Sequence, residues 1–260
     1  MCIIDAGYVG NGLARALRQA GIPYDQLEAT GEIGGNRAHG VYDSTHLISS
    51  KKSTQYVEYP MPAGYPTFPS RAQMLRYLND YVDHFHLREH IEFGTEAVEV
   101  RPLDRTGMAG WRVTLSTGEQ REYAGVVVAN GHYWERNVPS YPGTFSGRRM
   151  HSKDYKRPAD FATGGRVLVV GGGNSAGDLA VEAAATFGSA DMSLRSGYWF
   201  IPKTILGIPS SEWDRVWLPM PLSGSGSRRC CGCPAAATSG TGSRSPTTSC
   251  SPRTSRSTPR

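Results

Sequence analysis

Two glycine-rich runs carry the chemistry that can be read from this sequence. The first is "DAGYVG", residues 5–10, and the second is "GGGNSAG", residues 171–177. The pattern G-x-G-x-x-G, placed after a strand and before a helix, binds a dinucleotide pyrophosphate. Its glycines allow a tight turn and close backbone approach, and the phosphates rest on the helix N-terminus. The second run meets the pattern as Gly171, Gly173 and Ala176, after the apolar "VLVV" of 167–170. Asn174, Ser175 and Gly177 fall in its turn and the helix start. The first run meets the pattern at Gly7 and Gly10, but position 5, where the leading glycine belongs, is Asp. A carboxylate there adds a Cβ where the turn wants none and brings negative charge beside a pyrophosphate. Weakened cofactor affinity, relieved by Asp5→Gly, is the expectation.

The residue that reads the ribose follows such a turn by about twenty positions. After the first run Glu28 stands there, an acid suited to a ribose hydroxyl. After the second run Arg195 and Ser196 stand there, and an arginine suits a 2′-phosphate. An acid-read site followed by a base-read site points to FAD first and NADPH second. The run "EIGGNR", residues 32–37, offers Gly35, Asn36 and Arg37 as a further approach to the flavin nucleotide.

The elements that must position these residues can be read from periodicity. Residues 2–6 form a strand and 11–20 a helix, with Leu13, Ala14, Leu17 and Ala20 at helical spacing and Gly21 to end it. Residues 24–29 are a second strand. Ser70 caps a helix, with Gln73 completing a capping box and Met74, Leu75, Leu78 and Tyr81 on one face. Residues 90–103, 110–118 and 119–131 read as consecutive strands. A second strand-turn-helix spans 165–188, and 191–197 is its following strand. The fold class is therefore α/β, with two Rossmann-like dinucleotide-binding domains. Residues 1–150 are read as an FAD domain of three-layer ββα type with a β-meander insertion. Residues 151–222 are a partial NADPH domain.

From residue 223 the composition changes. The last 38 residues hold no Leu, Ile, Val, Phe, Tyr or Trp, six arginines and no acid. Such a segment cannot bury enough apolar surface to offset its ordering entropy, so 223–260 reads as a disordered tail. Its bias resembles a GC-rich gene translated in the wrong frame. Those six arginines outweigh the whole chain's net charge of +5, so the remainder is close to neutral and a nucleic-acid partner is not expected. No apolar run reaches the ~18–20 residues of a membrane span. The chain starts inside a strand-like segment, so no signal peptide is expected, and Cys2 is the one cysteine before residue 230. These features suit a cytoplasmic compartment.

Between the two glycine turns lies "FSGRRMHSKDY", residues 145–155. This F-x-G-x-x-x-H-x-x-x-Y run resembles the identifying motif of flavin-containing monooxygenases. Baeyer–Villiger monooxygenases share its first half and usually continue to Trp, where Tyr155 stands here. Residues 126–143 and 41–62 are also similar to stretches of the flavin-containing family, and the resemblance runs from residue 2 to about 222. It implies that NADPH reduces FAD, that O2 adds at flavin C4a, and that the hydroperoxide oxygenates a nitrogen or sulfur of a small molecule. The cofactor then carries the hard chemistry and no catalytic triad is expected. His151 of the motif is implied to be structural or gating. The resemblance leaves the oligomeric state open.

Three departures stand out: Asp5, Arg37 where the family commonly has Trp, and Ile48 where many members hold an Asn against the flavin. Family members also continue past this point, so both sheets are expected to lack strands and to leave apolar surface uncovered. The alternatives are a truncated, inactive nucleotide-binding remnant of such an enzyme and a Baeyer–Villiger-type monooxygenase. A disulfide reductase needs a cysteine pair near the flavin, which this body lacks. His84, His86 and His90 are a weak metal candidate, and the "WFIPK" of 199–203 with Trp213 and Trp217 reads as core or interface aromatics.

Overall fold

The computed structural model describes residues 1–161 and 165–215. The tail from 223 and Trp217 lie outside them. Strand β1 (Cys2–Ile4) leads into helix α1 (Tyr8–Gln19), and β2 (Asp25–Glu28) follows. The strand ends two residues earlier than its sequence pattern, because Asp5 takes φ +94° and breaks the extended backbone. The helix begins three residues earlier, directly after Gly7, because Gly10 lets its first turn lie against β1. It ends as the sequence predicts. Ala20 is the cap, Gly21 follows at φ +68°, and the Ile22 N–H reaches back to the Leu17 carbonyl at 2.9 Å. That is a Schellman closure.

After the short α2 (Lys51–Thr54), helix α3 (Arg71–His84) starts in the expected capping box. The Ser70 side chain accepts from the Gln73 N–H, and the Gln73 side chain accepts from the Ser70 N–H. Met74, Tyr77, Leu78, Tyr81 and Val82 are its buried face. The strands that follow do not form one β insertion. Strand β3 (Ile91–Phe93) joins β2, and β7 (Val126–Val128) joins β1, giving a parallel sheet ordered β3-β2-β1-β7. Only β4 (Ala97–Pro102), β5 (Trp111–Leu115) and β6 (Gln120–Tyr123) make the antiparallel meander. The turns at 104–107 and 116–118 both lie inside the meander.

Side-chain alternation along β1 assembles three layers. Ile3 faces α1 and α3, in a core with Ala14, Leu78 and Tyr81. Cys2 and Ile4 face the meander, with Leu27, Val113 and Leu115. Burial raises the Cys2 thiol to about 11, with Asp25 adding to the rise, so the side chain acts as a small apolar residue.

The second strand-turn-helix is β8 (Leu168–Val170), α4 (Asn174–Phe187) and β9 (Asp191–Ser193), with β8 parallel to β9. Gly188, at φ +81°, ends α4 as a left-handed cap. A small hairpin, β10 (Thr204–Ile205) and β11 (Ile208–Pro209), follows. The aromatic run before it is not core. Trp199 is 90% exposed, Phe200 71% and Ile201 72%. Among the described residues, no helix is long and apolar enough to cross a membrane.

Candidate functional site

Parallel pairing sets Ile4, Glu28 and Val128 at one edge, the carboxyl ends of three neighbouring strands, where ligands of such sheets bind. The turn between β1 and α1 occupies this edge. Gly10 has no room for a side chain: a Cβ there would lie 2.1 Å from the Asp5 carbonyl oxygen and 3.3 Å from Gln26 Nε2. Gly7 caps α1 and, having no side chain, gives the helix no capping hydrogen bond. The Asn11 amide, fully buried, donates to the Ala6 carbonyl at 2.9 Å and accepts from Gln26 Nε2 at 3.1 Å. These amides lock the turn to β2.

Asp5 turns its carboxylate back over this turn. Its Oδ2 accepts the Gly7 N–H at 2.7 Å. Burial, then the charge of Glu28, raise its pKa to about 6, and the Gly7 N–H works in the opposite direction. Glu28 itself is buried. Its Oε2 accepts from the Ala6 N–H at 2.7 Å, and its Oε1 accepts from the Thr30 N–H at 2.9 Å and the Thr30 hydroxyl at 2.7 Å. The carboxylate therefore ties β1 to the end of β2 and keeps about one of its roughly four lone-pair directions for another donor.

The "EIGGNR" loop closes over the same turn. The Gly34 N–H donates to the Ala6 carbonyl at 3.2 Å, and Gly34 and Gly35 hold φ +128° and +51°. Gly35, Asn36 and Arg37 form one 3-10 turn. Asn36 donates to the His132 carbonyl at 2.8 Å, and its amide oxygen packs where a Gly40 Cβ would stand. The Arg37 guanidinium is partly buried and makes no ion pair among the described residues. Burial lowers its pKa below the usual arginine range, while Tyr42 pulls the other way.

The second turn is open where the first is filled. Gly171 holds φ +124° at the position matching Asp5. Nothing stands within 4 Å of a Cβ built on Gly173 or Gly177, and Ala176 is 4.0 Å from one on Gly171. Gly173 caps α4 with no side-chain bond, leaving the first N–H groups of the helix without a partner among the described residues, with Asn174 and Ser175 in its first turn. Arg195 lies two residues past β9, exposed, and makes no ion pair among the described residues.

Two residues that periodicity did not single out shape these turns. The Tyr198 ring covers Gly172, where a Cβ would come 2.5 Å from it. Tyr8, the first residue of α1, stacks on Tyr56 at 4.6 Å, and Tyr56 stacks on Tyr81 at 4.0 Å. The signal was present as tyrosines at 56, 59, 77 and 81, but their meeting depends on tertiary contact.

Within the F-x-G-x-x-x-H-x-x-x-Y run, the histidine and the tyrosine have different surroundings. The His151 Nδ1 accepts the Lys153 N–H at 3.2 Å, a local turn contact. Tyr155 is fully buried, and its hydroxyl donates to Glu182 of α4 at 2.6 Å. Tyr42 donates to Asp178 of α4 at 2.7 Å, and burial, then Asp178, push its phenol up to about 12. Tyr155, Tyr42 and Leu179 form one small core. The two tyrosines thus hold α4 to the segments that precede it. Ile48 is exposed. His84 packs on Tyr59 and Phe85, His90 lies against Tyr24, and no metal-holding cluster forms among the described residues.

The family model described as "Flavin-binding monooxygenase-like" matches residues 29–211, starting directly after Glu28. Flavin-containing monooxygenase 5 of Mus musculus is 34% identical over 219 residues, covering 77% of this chain and 41% of that protein. "Dimethylaniline monooxygenase [N-oxide-forming] 2" of Oryctolagus cuniculus is 30% identical over 234 residues, covering 84% of this chain and 43% of its own length. The chain thus spans less than half the length of these curated relatives. A solved structure of OTEMO in complex with FAD and NADP superposes with a TM-score of 0.63 at 26% identity, covering 76% of this chain and 39% of that one. Matched over most of its length by that family model, the chain belongs to the flavin-binding monooxygenase-like family.

Proposed function

We propose that this chain is the FAD- and NADPH-binding part of a monooxygenase that uses O2 to oxygenate a nitrogen or sulfur of a small molecule. The observation that carries this is the pair of strand–glycine–helix turns, each at the carboxyl end of parallel strands, in a chain of the flavin-binding monooxygenase-like family. In this reading residues 1–150 bind FAD through Gly7, Gly10, Glu28, Gly35, Asn36 and Arg37. Residues 151–222 bind NADPH through Gly171, Gly173, Asn174, Ser175, Ala176, Gly177 and Arg195. The OTEMO structure, titled as a complex with FAD and NADP, supports the same pair of cofactors.

Bound FAD supplies the reaction with O2, and bound NADPH supplies the hydride. The chain's own residues bind and orient. The N-terminus of α4 fits a pyrophosphate, since among the described residues its first N–H groups have no partner and no side chain stands over Gly173. Arg195 adds the cation that a 2′-phosphate needs. The first turn fits a dinucleotide in its glycines and in Glu28, and departs from it at the Asp5 carboxylate. That departure favours one second reading, a nucleotide-binding remnant without oxygenase activity.

A visible spectrum separates the two. Protein purified with added FAD should be yellow, bleach on NADPH and recover its bands in air. Colourless protein that takes up no flavin overturns the oxygenase reading.

A further inference from the structure

The first glycine turn already holds an anion of its own. The Asp5 Oδ2 accepts the Gly7 N–H at 2.7 Å, a donor that such a turn presents to phosphate. A Cβ built on Gly7 would lie 2.6 Å from that oxygen, and one on Gly35 would lie 3.6 and 3.7 Å from the two Asp5 oxygens. The carboxylate therefore fills the gap between two backbone segments that glycine keeps bare. The backbone at Asp5, φ +94°, is the left-handed geometry that glycine supplies at the matching Gly171. A side chain at this position is strained, and its first two atoms lead back over the turn.

We infer that Asp5 is a resident anion in the pyrophosphate subsite, so that FAD and the ionised carboxylate compete for the Gly7 N–H and the space beside it. FAD then binds only with Asp5 protonated. This rests on the reading of the first turn as an FAD site. The charged group facing Asp5 is Glu28, from the end of β2. Gln26 and Asn11 face the turn from β2 and α1 with neutral amides. The loop at 34–35 brings bare backbone. Burial and Glu28 both favour the protonated form, which places the change near pH 6. The competing anion is thus absent below that pH and present above it.

The experiment compares wild type, Asp5→Asn and Asp5→Gly by FAD titration, following flavin fluorescence from pH 5 to 8 at fixed salt. Wild-type affinity should weaken by about tenfold for each pH unit above 6, as expected when one proton must be bound. The Asp5→Asn and Asp5→Gly profiles should be flat, and Asp5→Gly should bind at least about tenfold tighter than wild type at pH 8. Equal affinities and equal pH profiles in all three proteins overturn the inference.

Thermal unfolding without flavin gives a second readout. A folded-state pKa raised from 3.8 to about 6 makes wild-type stability fall as pH rises through that window, and Asp5→Asn should lack this fall. Superimposable melting profiles show that the carboxylate is not seated in the turn, and overturn the inference. Should the melting difference appear while no variant, Asp5→Gly included, takes up FAD at any pH, the flavin reading of this turn fails, and competition fails with it.

Discussion

Gly10, the last position of the first turn's pattern, and Gly177, one residue past the second's, meet opposite surroundings. A Cβ on Gly10 would press 2.1 Å from the Asp5 carbonyl oxygen, a backbone atom that cannot rotate away. Gly10→Ala should therefore cost about 1–3 kcal/mol or more, as overpacking does, read as a lower urea midpoint. A Cβ on Gly177 meets nothing within 4 Å. Gly177→Ala should raise the midpoint, because alanine is about 1 kcal/mol better than glycine inside a helix. The sequence pattern makes Gly10 one of its positions and leaves Gly177 one residue outside it, but it records spacing and not what lies across the gap. The identity of Asp5 was equally plain in the sequence. That its carboxylate bends back onto the Gly7 N–H depends on φ +94°, which no residue pattern states.

Helix α3 shows which features of an element are legible from sequence. Its capping box joins Ser70 to Gln73, and every partner lies within four residues. Ser70→Ala should cost about 1 kcal/mol, measured by chemical unfolding, because it strands the Gln73 N–H. The same locality made the end of α1 readable at Gly21 and the end of α4 readable at Gly188. Strand partners are not local. Ile91–Phe93 and Val126–Val128 have the apolar character of the strands beside them, yet they pair with β2 and β1 across the sequence. The apparent β insertion therefore shrinks to the three strands of the meander. For the same reason the candidate turns were legible at both glycine runs, while the Tyr8–Tyr56–Tyr81 stack and the Tyr198 cover on Gly172 were not.

Across the whole molecule, Tyr155 and Tyr42 are the buried tyrosines that hold α4 to the earlier part of the chain, beside Ser44 on Glu182 and Phe161 on Phe187. Removing the Tyr155 hydroxyl leaves a buried ring and takes from Glu182 its shorter donor, with Ser44 remaining at 3.3 Å. Tyr155→Phe should cost about 1–3 kcal/mol in chemical unfolding. His151→Ala, which removes only a contact to the Lys153 N–H, should stay within about 0.5 kcal/mol. Beyond this joint the second strand-turn-helix is thinly covered. Its parallel sheet has two strands among the described residues, and sheets of this kind are ordinarily covered on both faces. Leu168 and Val170 of β8 and Val181 of α4 are exposed, as are Tyr198, Trp199, Phe200 and Ile201. An uncovered group of this size binds apolar dyes and promotes self-association. The chain should therefore raise the fluorescence of anilinonaphthalene sulfonate at neutral pH while its near-UV circular dichroism stays native. The triple substitution Trp199→Ser, Phe200→Ser and Ile201→Ser should lower both dye binding and light scattering without shifting the urea midpoint, because none of the three contributes to a buried core. Dye binding unchanged by that substitution would place the uncovered surface on β8 and α4 instead, where Leu168→Thr and Val181→Lys are the changes that should remove it.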